Sequence, residues 1–321
     1  GYFLKNQEVT RMANTTKKRL PENPRKHRDW RRTGFILCFL LPPLIVYGIF
    51  YLLPFAQAFV YSLFDWSGYS RQMTFVGLDN FKEAFQDKIV WKALGNNFFF
   101  LFWCTLVTFA LSFFFAVCFT RLKIKGTGFF RIVYFFPNTL SIVVVGVLWM
   151  FIFNPSFGLL NGVLDFLGLS SLIQDWLGDK KVVMAALVAP QSWMYIGFYM
   201  VLFISAIQSV PEDYYEAATL DGAGQWRQLA HVTVPLIWGT FRTALIHFVV
   251  NAFEKTFALV RVVTAGGPNH ASEVMTTYLY DQAFKFGHYG YGSAIGVILF
   301  AVIALMSLLV MKLTKREAYE Y

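Results

Sequence analysis

Residues Val210 to Ile237 read VPEDYYEAATLDGAGQWRQLAHVTVPLI, a polar island between two long apolar runs. Glu212, Asp213, Glu216, Asp221, Gln225, Arg227, Gln228 and His231 fall inside it. Ionisable side chains are expensive in a bilayer core, so the island lies outside the membrane while its flanks lie within. Its pattern is that of two short helices. Ser209, with Glu212 three residues on, carries a capping-box signature. Pro211 falls near the first helical position, where a missing N–H costs nothing. Glu212 and Asp213 sit at the positive end of the helix dipole, and Gly222 and Gly224 are natural stops. A second helix is expected from Gln225 to Val232, ending before Pro235, which restricts Val234.

Composition agrees with a membrane chain. Of 321 residues 56% are hydrophobic and 15% charged, with 36 Phe and a mean hydropathy of +0.49. Soluble domains carry roughly 45–50% apolar and about 25% charged residues. The net charge of +9 is not spread as a nucleic-acid binder would need, and no nucleic-acid partner is expected. About a third of the Lys and Arg precede Thr33, in and before KKRLPENPRKHRDWRR. That is where the positive-inside rule and anionic lipid would place them. Cys38, Cys104 and Cys118 all lie in apolar runs and read as small hydrophobes, neither a disulfide framework nor a metal site. The stretch GYFLKNQEVTR lacks the hydrophobic core of a signal peptide, and Met12 offers a second start.

Six apolar segments are long enough to span, a helix needing about 20 residues. They are Gly34 to Phe64, Leu94 to Thr120, Phe129 to Phe153, Val182 to Ile207, Leu236 to Val263 and Ser293 to Leu313. Pro42, Pro43 and Pro54 predict kinks or tilt in the first. With six spans, the basic N-terminal tail, the loop holding Arg121, Lys123, Lys125 and Arg131, and the end holding Lys312, Lys315 and Arg316 share one side. That side is cytoplasmic by the charge rule, and the polar island falls on it. The external loops are then Asp65 to Trp91, Asn154 to Lys181 and Thr264 to Gly292. The first predicts a helix capped by an Asp or Asn just before Phe81. The second predicts a short interfacial helix framed by Asn161, Gly162 and Gly168.

The island also resembles a known family. Glu216, Ala217, Ala218, Gly222, Val232, Val234 and Pro235 keep the spacing of the EAA loop of ABC importer permeases, with Val for the usual Ile and Leu. Thr264, Gly266, Gly267 and Pro268, then Tyr280, Ala283, Phe284, Gly290, Gly292 and Ala294, resemble the carbohydrate-uptake branch of that family. So do LDNF at Leu78 to Phe81 and the stretch from Phe135 to Asn161. The resemblance covers roughly Gly34 to Arg316. It implies an all-α, six-span, type I importer permease domain over 34–316, with its EAA coupling loop at 209–235. Flanking it would be a basic cytoplasmic tail over 1–33 and a short tail over 317–321. It implies that Tyr214, Glu216, Ala217, Ala218, Leu220 and Gly222 couple to an ATPase subunit. It implies that Gly266, Gly267 and Pro268 belong to a loop receiving an extracytoplasmic solute-binding protein. The expected assembly holds a second homologous permease and two ATPases in a bacterial inner membrane, both termini cytoplasmic, with a sugar as cargo.

The chain has no G-x-x-x-x-G-K-[ST] and no Gly-Lys dipeptide, so ATP and Mg belong on the partner ATPase and no cofactor is expected here. No hydrolase or zinc-protease motif is present, and His27, His231, His247, His270 and His288 are scattered; the subunit reads as non-catalytic. Polar residues within spans are the candidates for a path. The fifth span holds Arg242, His247, Asn251, Glu254, Lys255 and Arg261, four of them at helical spacing on one face. The fourth offers Gln191, Ser192, Trp193, Tyr195 and Tyr199, and the third Asn138, Thr139 and Ser141 behind Pro137. By position relative to the EAA loop, Trp193, Tyr195, His247, Asn251 and Glu254 are the best matches to the family's cavity. The competing reading is that these groups satisfy one another between helices. Lys255, Arg261 and His247 suit an acidic saccharide; glycerol phosphate or another polar solute is an alternative cargo. An ATP-independent channel would leave the island unexplained, and a membrane-embedded enzyme would need clustered carboxylates or His.

Overall fold

The computed structural model describes residues 30–122, 124 and 126–314, excluding the side chains of 30–33 and 254. The basic tail up to residue 29, Lys123, Lys125, Lys315, Arg316 and the 317–321 tail, together with the Glu254 side chain, lie outside the described residues. The chain divides into a unit ending at Ala56 and a second from Gln57 onward.

The first unit is helical from α1 (Trp30–Tyr47), through a π turn at Gly48–Leu52, into α2 (Leu53–Tyr61), which continues into the second unit. Pro42 and Pro43 lie inside α1 without ending it. The π turn closes with Leu53 N–H donating to Gly48 O, immediately before Pro54. A proline lacks the N–H for the carbonyl four residues back and its ring clashes there; widening the turn by one residue relieves both.

In the second unit, a two-residue antiparallel ladder pairs β1 (Phe64–Asp65) with β2 (Thr74–Phe75). Then come α3 (Asp79–Gln86), α4 (Lys88–Arg121), α5 (Thr127–Thr139), α6 (Ile142–Ile152), α7 (Leu159–Phe166) and α8 (Val183–Gln208). The polar island supplies α9 (Glu212–Leu220), α10 (Gln225–Gln228), a π turn at Leu229–Thr233 and α11 (Val234–Leu236). The chain closes with α12 (Trp238–Val263), α13 (Met275–Tyr280), a π turn at Asp281–Lys285 and α14 (Tyr289–Leu313). Gly34–Tyr61 and the helices α4, α8 and α14 are each long and apolar enough to cross a bilayer. Two bent pairs supply the rest: α5 with α6, turned by 101°, and Gln225–Leu236 with α12, turned by 66°.

Three expectations need correction. The third span is not one helix: α5 stops at Thr139, whose Oγ1 donates to Phe136 O at 2.7 Å, and α6 restarts from Ser141, whose Oγ accepts from Val143 N–H. Ser209 does not cap α9: its hydroxyl donates to Ala206 O and closes α8, leaving Pro211 as the N-cap residue without a side-chain bond. The second island helix does not end before Pro235. It carries through it, because the π turn, with Val234 N–H donating to Leu229 O, gives the ring room as at Pro54. In the loops, α7 supplies a short helix in the expected stretch, with Asn161 and Gly162 inside it rather than framing it. Asp79, expected as a cap, lies in the first turn of α3, and Asn80 instead reaches back to Ser62 O and Phe64 O.

The core runs where α4, α8, α12 and α14 meet. Phe109 of α4 packs edge-on against Phe203 at 5.7 Å, Phe241 at 5.3 Å and Phe248 at 5.6 Å. Gly197 of α8 lies so close to the Tyr134 carbonyl that α5 and α8 are in backbone contact.

Candidate functional site

Midway along the bundle the break between α5 and α6 opens a cavity of about 500 Å³. Asn138, Leu140, Ser141 and Ile142 of the break form one wall. Gln191, Met194, Tyr195, Phe198 and Tyr199 of α8 form a second, and His247, Phe248, Asn251, Ala252 and Lys255 of α12 a third. The polar members of α8 and α12 recur every four residues, which places each set on one helix stripe. The helix cannot bury those stripes in lipid, and the missing helical turn opposite leaves space in front of them.

The polar groups are partly preset. Tyr199, almost wholly buried, brings its hydroxyl to 3.1 Å from His247 Nδ1, and Phe198 stacks on the His247 ring. Asn251 Nδ2 donates to His247 O at 2.8 Å. Gln191 is 2% exposed, and its Oε1 has no hydrogen-bond partner among the described residues. A buried acceptor without a donor is costly to the fold.

Of the residues expected from sequence to line a path, Tyr195, His247 and Asn251 lie on the wall of this cavity. Trp193 does not: its ring lies against Trp149, centroids 6.1 Å apart, on another face of α8. Lys255 lines the cavity, and among the described residues no carboxylate pairs with it. Arg261 is not on this wall: it makes a 2.8 Å ion pair with Asp281 and sits over the Tyr280 ring. Gln191, Asn138, Ser141 and Tyr199 were visible as polar residues in spans, but only the broken helix reveals that they meet.

At one end of the bundle the island stands out from the core. Tyr214, Glu216, Ala217 and Leu220 of α9 face outward, Leu220 with 89% of its surface exposed, and Ala218 is half-buried. Tyr215 faces inward and is buried. Gly222 has φ +75°; its N–H donates to Thr219 O while Ala223 N–H donates to Ala218 O. Those two bonds are the paired stop of a Schellman motif, which needs the left-handed residue that glycine supplies most readily.

At the other end the Thr264–Val274 loop is pinned. Asn96 donates to Ala271 O and Glu273 O, and Asn97 accepts from Met275 N–H. Gly266 presses on the buried Glu273 carboxylate, Gly267–Pro268 is cis, and Ser272 Oγ lies 2.5 Å from Gly267 O. His270 Nδ1 meets Glu273 Oε2 at 2.8 Å. Ala265, Asn269 and His270 hold positive φ, a backbone that non-glycine residues adopt only where surrounding bonds over-determine it.

Membrane-length helices around a polar cavity, with a polar helix pair at one end and a built turn at the other, define a membrane-embedded transport subunit. The match is to a specific family. Residues 109–318 fit the model of the binding-protein-dependent transport system inner membrane component, and the chain belongs to that family. It is 38% identical over 297 residues to the diacetylchitobiose uptake system permease protein NgcF of Streptomyces coelicolor, covering 89% of this chain and 84% of that one. It is 37% identical over 276 residues to the probable ABC transporter permease protein YurN of Bacillus subtilis, covering 86% and 94%. Its fold is similar to a chain of the bacterial alginate ABC transporter solved in complex with an alginate pentasaccharide-bound periplasmic protein. That likeness has a TM-score of 0.78 at 22% identity, covering 90% of this chain and 96% of that one. The protein is thus a permease component of the inner membrane.

Proposed function

We propose that this chain forms, with a second homologous permease, the translocation path of an ATP-driven sugar importer fed by an extracytoplasmic solute-binding protein. The observation that carries this reading is the outward face of α9. Tyr214, Glu216, Ala217 and Leu220 expose apolar surface around one carboxylate, on a helix stopped by the Gly222 motif. An exposed apolar patch on a short helix suits a docked partner, and membership of the importer-permease family supports an ATPase subunit in that place. Two ATPases, carrying ATP and Mg, would draw together and move α9 of each permease as a rigid body, reversing which side the cavity faces. The island and both termini are then cytoplasmic. The Gly266–Gly267–Pro268 turn, at the opposite end, receives the binding protein.

The cargo reading rests on the cavity. Gln191, Asn138, Ser141 and Asn251 offer hydrogen bonds while Tyr195 and Phe198 offer ring faces, the combination a sugar ring needs. NgcF, the similar diacetylchitobiose permease, supports an oligosaccharide. Lys255 in the cavity wall favours a second reading, in which the cargo carries an anionic group such as a uronate or a phosphate. Co-purification from native membranes tests the first proposal. An ATPase and a second permease should come with the chain, with hydrolysis stimulated by binding protein plus one oligosaccharide. A lone chain conducting solute without ATP would replace it with a channel. Uptake of neutral oligosaccharides alone, with uronic-acid oligomers and glycerol phosphate refused, would sink the second reading.

A further inference from the structure

We propose that Arg121 is the positioning residue through which the α9 helix moves the transmembrane bundle. The proposal rests on the reading of α9 as the ATPase-coupling helix. That helix is set off from α8 and α10 by non-helical backbone at both ends. Before it, Pro211 is extended, with ψ 138°. After it come the left-handed Gly222 and the extended Gly224. Across these turns, side-chain contacts add to what sets the direction of the helix.

Two residues make those contacts, and both lead to Arg121. The Arg121 guanidinium, on the last residue of α4, lies 3.6 Å from the centroid of the Tyr215 ring. Tyr215 is the buried residue of α9, only 4% exposed, and its hydroxyl is 3.1 Å from Thr233 Oγ1 in the π turn. Arg121 Nη2 also donates to Gln228 Oε1 at 3.3 Å. The Gln228 amide in turn donates to Thr219 Oγ1 and to Ala223 O, holding the Schellman end of α9. A basic residue serving only the positive-inside rule would extend to water or headgroups. This one turns back onto an aromatic face, and among the described residues no carboxylate pairs with it. A half-buried guanidinium without a counter-ion is held by the ring quadrupole and one amide, an arrangement specific in direction.

The far side of α4 is fastened as firmly. Ser112 Oγ donates to Ile196 O of α8 at 2.7 Å, and the Phe109 ring lies 4.9 Å from that of Tyr199. Ile196 follows Tyr195, and Tyr199 holds His247, so α4 is bonded directly to the cavity wall. A push on α9 therefore reaches the cavity through Tyr215, Arg121 and α4, as well as through the Ser209–Pro211 turn. Contiguity alone does not establish transmission; an energetic coupling between the two residues does.

The test uses the intact importer complex in proteoliposomes, measuring sugar uptake per ATP hydrolysed for the variants R121A, R121K, Y215L and R121A/Y215L. The R121A complex should keep its ATPase subunits and its melting temperature, with uptake per ATP reduced about tenfold, the size of an ordinary coupling term. R121K retains a cation over the ring and should recover most of the uptake. Y215L should also lower uptake per ATP, and the double variant should lose less than the two single losses combined, since the cation–ring contact is shared while the Gln228 and Thr233 bonds are separate. Wild-type uptake per ATP in R121A, or additive losses in the double variant, would overturn the proposal. Should R121A fail to accumulate, R121K and Y215L decide it: equal and complete loss in both means the cation–ring contact is not what transmits. A wild-type chain that purifies without an ATPase would instead overturn the coupling reading itself.

Discussion

Tyr278 donates its phenolic hydrogen to Asp87 Oδ2 at 2.5 Å across 191 positions of sequence, and Tyr291 donates to the same oxygen at 2.8 Å. Asp87 is also the N-cap of α4, its Oδ1 accepting from Ile89 N–H at 2.7 Å. One carboxylate thus fastens the head of α4, the Thr264–Val274 loop through α13, and the start of α14. Burial alone would raise the Asp87 pKa, but the bonds from Tyr278, Ile89 N–H and Tyr291 outweigh it and hold it below its ordinary 3.8. The Tyr278 hydroxyl is pushed up by burial first, then by its hydrogen bond to Asp87 and by the Asp87 charge, so it stays a donor throughout the neutral range.

The sign of the pH effect follows. A carboxylate depressed in the fold contributes stability that is fully present above its unfolded value of about 3.8 and is lost as pH falls through the folded value. Asp87→Asn should lower the detergent-solubilised chain's stability at pH 7 by about 1–3 kcal/mol, through weaker bonds to two hydroxyls and the cap. Below pH 3.8 the difference from wild type should shrink. Thermal melts from pH 3 to pH 8 check this; a gap that stays constant into acid would contradict it.

Gly222→Ala should act on coupling more than on folding. At φ +75° a Cβ has open space, so the cost is backbone strain alone, about 1–2 kcal/mol confined to the end of α9. The expected result is near-wild-type melting with reduced ATPase retention on purification. Full retention with unchanged uptake would show that the Schellman stop is dispensable.

Gly197→Ala should do the reverse. A Cβ at Gly197 runs into the Tyr134 carbonyl and the Phe135 amide, backbone atoms that cannot swing aside. Overpacking of this kind costs about 1–3 kcal/mol and would pry α5 from α8. A clear drop in melting temperature is expected, whereas Gly162→Ala, with open space at its Cβ, should leave melting unchanged apart from helix propensity.

What sequence made legible here is set by periodicity. The runs that became α8 and α14 are continuous and apolar, so their C-termini fall within a residue of the expected positions. His247, Asn251 and Lys255 follow one another at four-residue intervals, and that stripe is what reaches the cavity. The same arithmetic excludes Trp193: residues two apart on a helix point about 200° apart, so Trp193 and Tyr195 cannot both face one space. The break at Leu140 and Ser141 was hidden because nothing in its local composition separates a bent pair from a Pro-containing straight helix. The 101° turn leaves α5 packed on Gly197 and brings Gly146 of α6 against Val262 and Val263, contacts distant in sequence. Arg121 over Tyr215 was illegible for a different reason: the pair is distant in sequence, and a basic residue at a span end already had an explanation.

Gln191→Leu separates the use of the cavity from its construction. Gln191 is buried, and its Oε1 lacks a donor among the described residues, so the amide is a burden on the folded chain. Leu is close in volume and removes the unsatisfied acceptor; melting should be unchanged or rise by up to about 1 kcal/mol of stability. If the acceptor serves a hydroxyl of the cargo, uptake should fall about tenfold, one neutral hydrogen bond's worth, while basal ATP hydrolysis in the complex persists. Tyr199→Phe provides the contrast. It loses the contact to His247 and should lower stability by about 1 kcal/mol, with a smaller effect on uptake because that hydroxyl is already occupied. Measured together, a stable Q191L chain that no longer transports would mark the unpaired oxygen as a cargo contact. A stable Q191L chain transporting at the wild-type rate would leave the cargo's contacts to Asn138, Ser141 and Asn251.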